Sequence, residues 1–388
     1  MLAYLPPLPL IIDYINEDND ITTEDEEGIL LALQHRDRVR SIRLEIPVPS
    51  LQKAIKAIDD EFSILECLVV GLLSKQNTSL VLPKTFQAPH LRHLFLSNFA
   101  FPIGSPLLTT APAFNLVSLC LNNIIPSAHF HPNDLLQSLL HIPQLQTLLI
   151  AFHSPVPNHD VERQLLHSPI ITLPNLRIFA FAGTSDYLEA LLPCITTPLI
   201  EMLQIEFFGQ LSVSLPHLLQ FLSKIEDLRF SRATLTFDES LWVSVNPHAV
   251  TRMDLLSIEI HCRHLDGQVA SAAQIFNSLR KVFSSVEHLT LEYTNRNSMS
   301  PEWINEAGRS QWRELLRSFG NLKRLRVPED LIPALSCSLE AEEGESPTEL
   351  LPELKELSYS GSGDGGDAFT KFIVSRQDVG HPVALVKD

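Results

Sequence analysis

A hexamer of the form L-x-x-L-x-L, with apolar substitutes, recurs along the whole chain. It starts at Val39, Leu65, Leu91, Leu116, Leu145, Leu176, Ile200, Ile225, Val250, Val286, Leu322 and Leu354. The steps are mostly close to 25 residues, with two of 36. One such hexamer means nothing in a leucine-rich chain. Twelve at near-constant spacing mean a great deal, because a unit this short cannot bury an apolar face alone and must stack on its neighbours.

The unit has a simple physical reading. Its fourth and sixth positions alternate and point to one face of a strand, and the first enters the same core from the preceding turn. Pro89, Pro143, Pro174 and Pro352 stand two residues before a first position, where proline ends a helix and forces extended backbone. Between hexamers lie apolar stripes of helical period. One is Leu51, Ile55, Ile58 and Phe62; another is Leu215, Leu218, Leu219, Leu222 and Ile225. Ile275, Leu279, Val282, Phe283 and Val286 form a third, and Trp312, Leu315, Leu316 and Phe319 a fourth. Asp186 reads as the N-cap of a further helix.

Strands about 4.8 Å apart beside helices about 10 Å wide bend a stack into an arc. The expected fold is therefore α/β: a single curved solenoid of about twelve repeats, with parallel strands on the concave face and helices on the convex face. Residues 1–38 supply a capping strand through Leu8, Leu10, Ile12 and Tyr14, an acidic loop and a helix. Residues 39–388 form the array, the last repeat carrying a flexible acidic insertion at Glu340–Thr348 and a C-terminal cap. The acidic run Glu17–Glu27 reads either as a dock for a basic partner or as a solvated loop leading into a helix N-terminus.

The formal net charge of −17 disfavours duplex nucleic acid and anionic membranes as partners. Five dispersed cysteines without a C-x-x-C pair read as reduced thiols of a cytoplasmic or nuclear protein. No phosphate-loop, zincin or nucleophile-elbow motif is present. His261, Cys262 and His264 sit close in sequence, as do His129 and His131, but neither group supplies a fourth metal ligand. The glycine-rich Gly361–Asp367 lacks a lysine and the spacing of a calcium loop. The expectation is a binding module rather than an enzyme, with no cofactor and no metal; an enzyme would need a closed cleft with convergent polar groups.

The strand–helix period resembles the leucine-rich-repeat superfamily. In its regular members an asparagine at the ninth position ladders along the turn; here that position holds Phe99, Ile124, His153 and other residues, and no asparagine. More narrowly, PPLPLIIDY, GILLALQHRDRVRSIRL, APHLRHLFLSNF, LPNLRIFAF and QWRELLRSFGNLKRLRV look like segments of the fungal F-box-like leucine-rich-repeat proteins. The resemblance covers essentially the whole chain. It implies an intracellular protein–protein interaction module that recognises substrates of a ubiquitin ligase. Family members dock on the Skp adaptor of the cullin ligase through an N-terminal F-box. No F-box is visible before the first strand, so Skp binding is expected only with an F-box upstream. The alternative is a truncated or orphan repeat protein without an adaptor role.

The partner site is expected on the strand face opposite the core, at the third, fifth and seventh positions. Val69, Phe95, Cys120, Leu149 and Ala180 make the fifth position apolar from the second to the sixth repeat, and Ile178 extends the stripe. Later repeats turn polar, with Arg229, Arg252, Arg324 and Arg326. Phe95 and Leu149 are expected to anchor a partner segment, and the charged half to select it.

Overall fold

The structure, a computed structural model, describes residues 8–15, 21–71, 80–109, 111–155, 170–209, 215–225, 230–247, 255–262, 264–294, 306–342, 344–361 and 365–387. Strands and helices alternate along the chain, and most strand pairs are parallel. The chain divides into two compact units, Met1–Glu201 and Met202–Asp388.

In the first unit the strands are β1 Leu10–Ile15, β2 Val39–Glu45, β3 Cys67–Gly71, β4 His93–Ser97, β5 Ser118–Ile124 and β6 Thr147–Phe152, then the short β7 Ile171–Thr172, β8 Ile178–Gly183 and the short β9 Ile195–Thr196. β1 to β6 and β8 pair in sequence order, all parallel, and β7 pairs with β9 apart from them. Five of these strands open two residues after a hexamer start, and β2 opens on Val39 itself. The alternation holds: Leu68, Leu94, Leu119 and Leu148 at fourth positions, and Val70, Leu96, Leu121 and Ile150 at sixth positions, are buried. Each strand is also pinned at its start. The N–H groups of Arg92 and His93 both donate to the Glu66 carbonyl, and those of Val117 and Ser118 both donate to Arg92.

The helical stripes close this core. Leu51, Ile55, Ile58 and Phe62 are buried, although the helix covers only Val48–Ala57. The helix Ser185–Leu191 is capped by the Thr184 side chain, which accepts from the Tyr187 N–H; Asp186, expected as the cap, sits in the first turn instead. The N-terminal helix runs Thr23–Leu33 with Thr22 as cap and three acidic residues in its first turn, where they favour the helix dipole.

In the second unit the strands are β10 Met202–Phe207, β11 Phe230–Phe237, β12 Leu241–Pro247, β13 Leu256–Ile260, β14 His288–Tyr293, β15 Arg324–Pro328, β16 Glu356–Ser360 and β17 Ala384–Lys387. Their order is β10-β13-β12-β11-β14-β15-β16-β17. β12 is antiparallel to both β11 and β13. This overturns the expected single curved solenoid with an uninterrupted run of parallel strands. The cause is local. Only Asp238, Glu239 and Ser240 separate β11 from β12, and so short a connection can join antiparallel neighbours only. Leu241, Val243 and Val245 then face the core, all fully buried.

The insertion also moves the register. β14 pairs Leu289 with Ala233, and β10 pairs Leu203 with Leu256. The core positions of β11 and β13 are therefore Ala233 with Leu235 and Leu256 with Ile258. They lie five and three residues beyond those implied by hexamers starting at Ile225 and Val250.

The acidic stretch expected to be a flexible insertion is held in place where it is described. Arg313, 1% exposed, donates to the carbonyls of Ser338 and Glu340, each at 2.8 Å, and to the Glu345 carboxylate. Arg317 reaches the same carboxylate at 3.2 Å. A second buried guanidinium, Arg376, donates to the carbonyls of Leu351 and Pro352 before β16.

Candidate functional site

Parallel pairing turns the fifth positions of the first unit into one physical row. Val69 lies opposite Phe95, Phe95 opposite Cys120, Cys120 opposite Leu149, and Leu149 opposite Ala180. Four strand steps make the row about 19 Å long. Val69, Phe95, Cys120 and Leu149 are half-buried, Ala180 is 8% exposed, and Ile178 beside it is half-buried. The row is the surface of the sheet opposite the buried fourth and sixth positions.

Polar rows flank it. On the strand-start side lie Ser41, Cys67, His93, Ser118 and Thr147, and on the other side Glu45, Gly71, Ser97 and Asn122. At one end Asp13 and Arg43, opposite one another on β1 and β2, form an exposed ion pair at 4.0 Å. The row is thus an apolar band with a charged terminus, and its margins are polar until the strand-start side reaches Ile178 opposite Thr147.

Burial pushes the Cys120 thiol up, with a weaker opposing effect from the Ser118 hydroxyl, which lowers the share of thiolate. Partial burial, then the guanidiniums of Arg92 and Arg43, lower the His93 pKa against the opposing Glu66 carboxylate. Among the described residues no three His, Cys, Asp or Glu side chains cluster as metal ligands would. His261 instead meets Glu206 at 2.7 Å. No helix of the described residues is long and apolar enough to cross a membrane.

The charged residues expected to complete the site fall differently. Arg324 and Arg326 are exposed on β15 of the second unit. Arg229 and Arg252 lie outside the described residues. The paired register gives the fifth-position row of that unit as Gln204, Ser257, Ser244, Thr234, Thr290, Arg326 and Ser358. It is rich in hydroxyls rather than arginines.

Two features escaped the sequence reading. Trp242, on the unanticipated β12, is 39% exposed. An amide ladder runs one position before the place where asparagine was sought. Asn98 and Asn123 both adopt left-handed backbone, Asn123 donates to Asn98, and His153 Nδ1 lies 2.6 Å from Asn123 Oδ1. A further cleft of about 490 Å3 opens at the strand starts of the first unit, lined by Glu66, His90, Arg92, Phe114 and Gln146 among others. It is open and polar.

No family model matches the chain, and no curated protein matches it.

Proposed function

We propose that the chain is a protein-binding module whose first unit presents the apolar row as an anchor site for a partner segment. The observation that carries this reading is the strand register, which joins Val69, Phe95, Cys120, Leu149 and Ala180 edge to edge. An apolar row left partly exposed on one face of a sheet supports an interaction surface there. About 19 Å accommodates roughly six residues of extended chain or about a dozen of a helix. Phe95 and Leu149 supply the largest side chains and so the anchors.

The resemblance to the fungal F-box-like proteins supports a narrower form. The bound protein would then be a ubiquitin-ligase substrate, with a Skp-binding F-box joined to this region delivering it to the cullin machinery. Affinity capture that brings Skp adaptor and cullin along with the chain would favour that form over an orphan binding protein.

The test of the anchor row is the double substitution Phe95→Ser with Leu149→Ser in the purified chain. Its captured proteins are expected to fall away while the circular-dichroism spectrum and a cooperative melt persist. An unchanged set of captured proteins on an intact fold overturns the reading. Leu94→Ala serves as the control, since Leu94 is 1% exposed and truncating such a leucine costs about 2–5 kcal/mol.

A further inference from the structure

The second positions of the hexamers form a row of their own at the strand starts of the first unit. Glu66 donates its N–H to the Arg40 carbonyl, Arg92 to that of Glu66, Val117 to that of Arg92 and Gln146 to that of Val117. The row continues in the same way through Arg177 to Glu201. It begins with an ion pair, Arg40 with Glu66 at 3.0 Å, and it ends with another, Arg177 with Glu201. Between the two pairs the alternation of charge breaks. On one side of Arg92 stands Glu66, already engaged by Arg40; on the other stand the uncharged Val117 and Gln146. The exposed Arg92 guanidinium forms no ion pair among the described residues.

The cleft of about 490 Å3 opens at this break, with Glu66, Arg92, Val117 and Gln146 in its lining. Its volume falls within the span of about 300–1,000 Å3 usual for small-ligand sites. Phe114, on the short 3-10 turn Ala111–Asn115, stands 49% exposed in the same lining. The half-buried Ile64 and Val117 add further apolar wall. The polar groups are mostly donors. Gln144 Oε1 accepts from Asn175 Nδ2 at 3.3 Å, so what the Gln144 amide has left to offer is chiefly N–H. The Gln146 amide and the exposed His90 complete the set.

One cation without a counterion, amide donors and an exposed aromatic ring in one cleft suit an anion with an apolar body. A guanidinium meets a carboxylate through two parallel N–H groups, and a ring takes a second ring edge-on or offset. Glu66 sets the limit on charge: Arg40 neutralises it only in part at an exposed site, so a doubly charged phosphate is repelled more than a carboxylate.

We propose that this cleft binds a carboxylate carrying an aromatic group, with Arg92 on the carboxylate and Phe114 against the ring. Two sources share that chemistry, the last residue of a peptide chain and a free small aryl acid. The site is separate from the apolar row and does not depend on it.

The experiment titrates the intact chain with N-acetylphenylalanine and with N-acetylphenylalaninamide, followed by ligand-observed nuclear magnetic resonance. The acid is expected to bind with a dissociation constant on the order of 1 mM, and the amide about fivefold or more weakly. This arm uses the unaltered chain, so no folding defect can imitate it. Arg92→Gln and Phe114→Ala each weaken the acid about fivefold. Glu66→Gln strengthens it, a gain that a merely damaged cleft would not give. A short peptide ending in phenylalanine with a free carboxylate separates the sources: tighter binding than the acid assigns the site to a chain terminus, equal or weaker binding to a small acid. Equal binding of acid and amide, an acid that binds Arg92→Gln undiminished, no binding at all, or displacement of the acid by equimolar inorganic phosphate overturns the proposal.

Discussion

Single side chains settle whether the acidic stretch near residue 345 is loose or held. Burial pushes the Glu345 carboxyl up, but the Glu342 N–H and the guanidiniums of Arg313 and Arg317 outweigh it, and the folded pKa lies below the ordinary carboxylate value. A depressed folded pKa gives a stabilisation present above the unfolded pKa and lost as pH falls through the folded one. Glu345→Gln is therefore expected to destabilise the chain by about 1–3 kcal/mol at neutral pH. The difference from the parent should shrink as pH drops below the ordinary carboxylate range. Urea midpoints of both proteins across that window check it; a pH-independent difference would show that the charge on Glu345 contributes nothing. The Tyr187 hydroxyl poses the opposite case. It is buried among Phe152 and Phe181 and finds no hydrogen-bond partner among the described residues; burial pushes its pKa well up.

At the scale of the element, the turns after β4 and β5 show why spacing alone misled. Asn98 and Asn123 have φ of 61° and 53°, a region that costs an ordinary L residue roughly 1–2 kcal/mol and that asparagine tolerates. Both stand one position before the place where the repeat pattern put an asparagine, and the turn after β5 coincides with a register irregularity between Leu121 and Ile124. Asn123→Ala is expected to lose both the ladder and the backbone tolerance, while Asn123→Gly loses only the ladder. The alanine variant should unfold at lower denaturant than the glycine variant; the reverse order, or no difference, would mean that the strain is absorbed by the loop. β12 teaches the same lesson. Leu241, Trp242, Val243, Ser244 and Val245 alternate as a strand should, yet they do not form an L-x-x-L-x-L unit, and a search for that unit passes over them.

Charge is the property that belongs to the molecule as a whole. With 29 basic against 46 acidic side chains and a calculated isoelectric point near 5.3, the chain loses its self-repulsion on mild acidification. The first unit ends on an edge strand with Ile11 71% and Ile15 56% exposed, and an apolar edge is a template for association. Solubility is expected to pass through a minimum close to the isoelectric point, and Ile11→Lys with Ile15→Lys to raise it there. Light scattering against pH is the measurement; a flat profile for the parent chain would remove edge pairing from consideration.

Much of the local organisation follows from the sequence alone. Proline before a hexamer, apolar residues at its fourth and sixth positions and helical stripes between hexamers are near-neighbour constraints. They place every strand of the first unit from β2 to β6, together with β8 and the apolar row on their outer side. These decisions need only steric rules and the separation of apolar from polar faces, which act within a few residues. What lies beyond that range is decided by which strands become neighbours. The entry of β12 between β11 and β13, and the division at Glu201 and Met202, depend on contacts between residues distant in sequence. So do the displaced register of β11 and β13 and the meeting of Trp242 with Glu259 and of Arg232 with His288. The same hexamer can sit on either of two registers with its leucines half satisfied, and only the pairing partner selects one. The side chains of β11 to β14 were visible in the sequence; which of them lie opposite one another was a product of the tertiary fold.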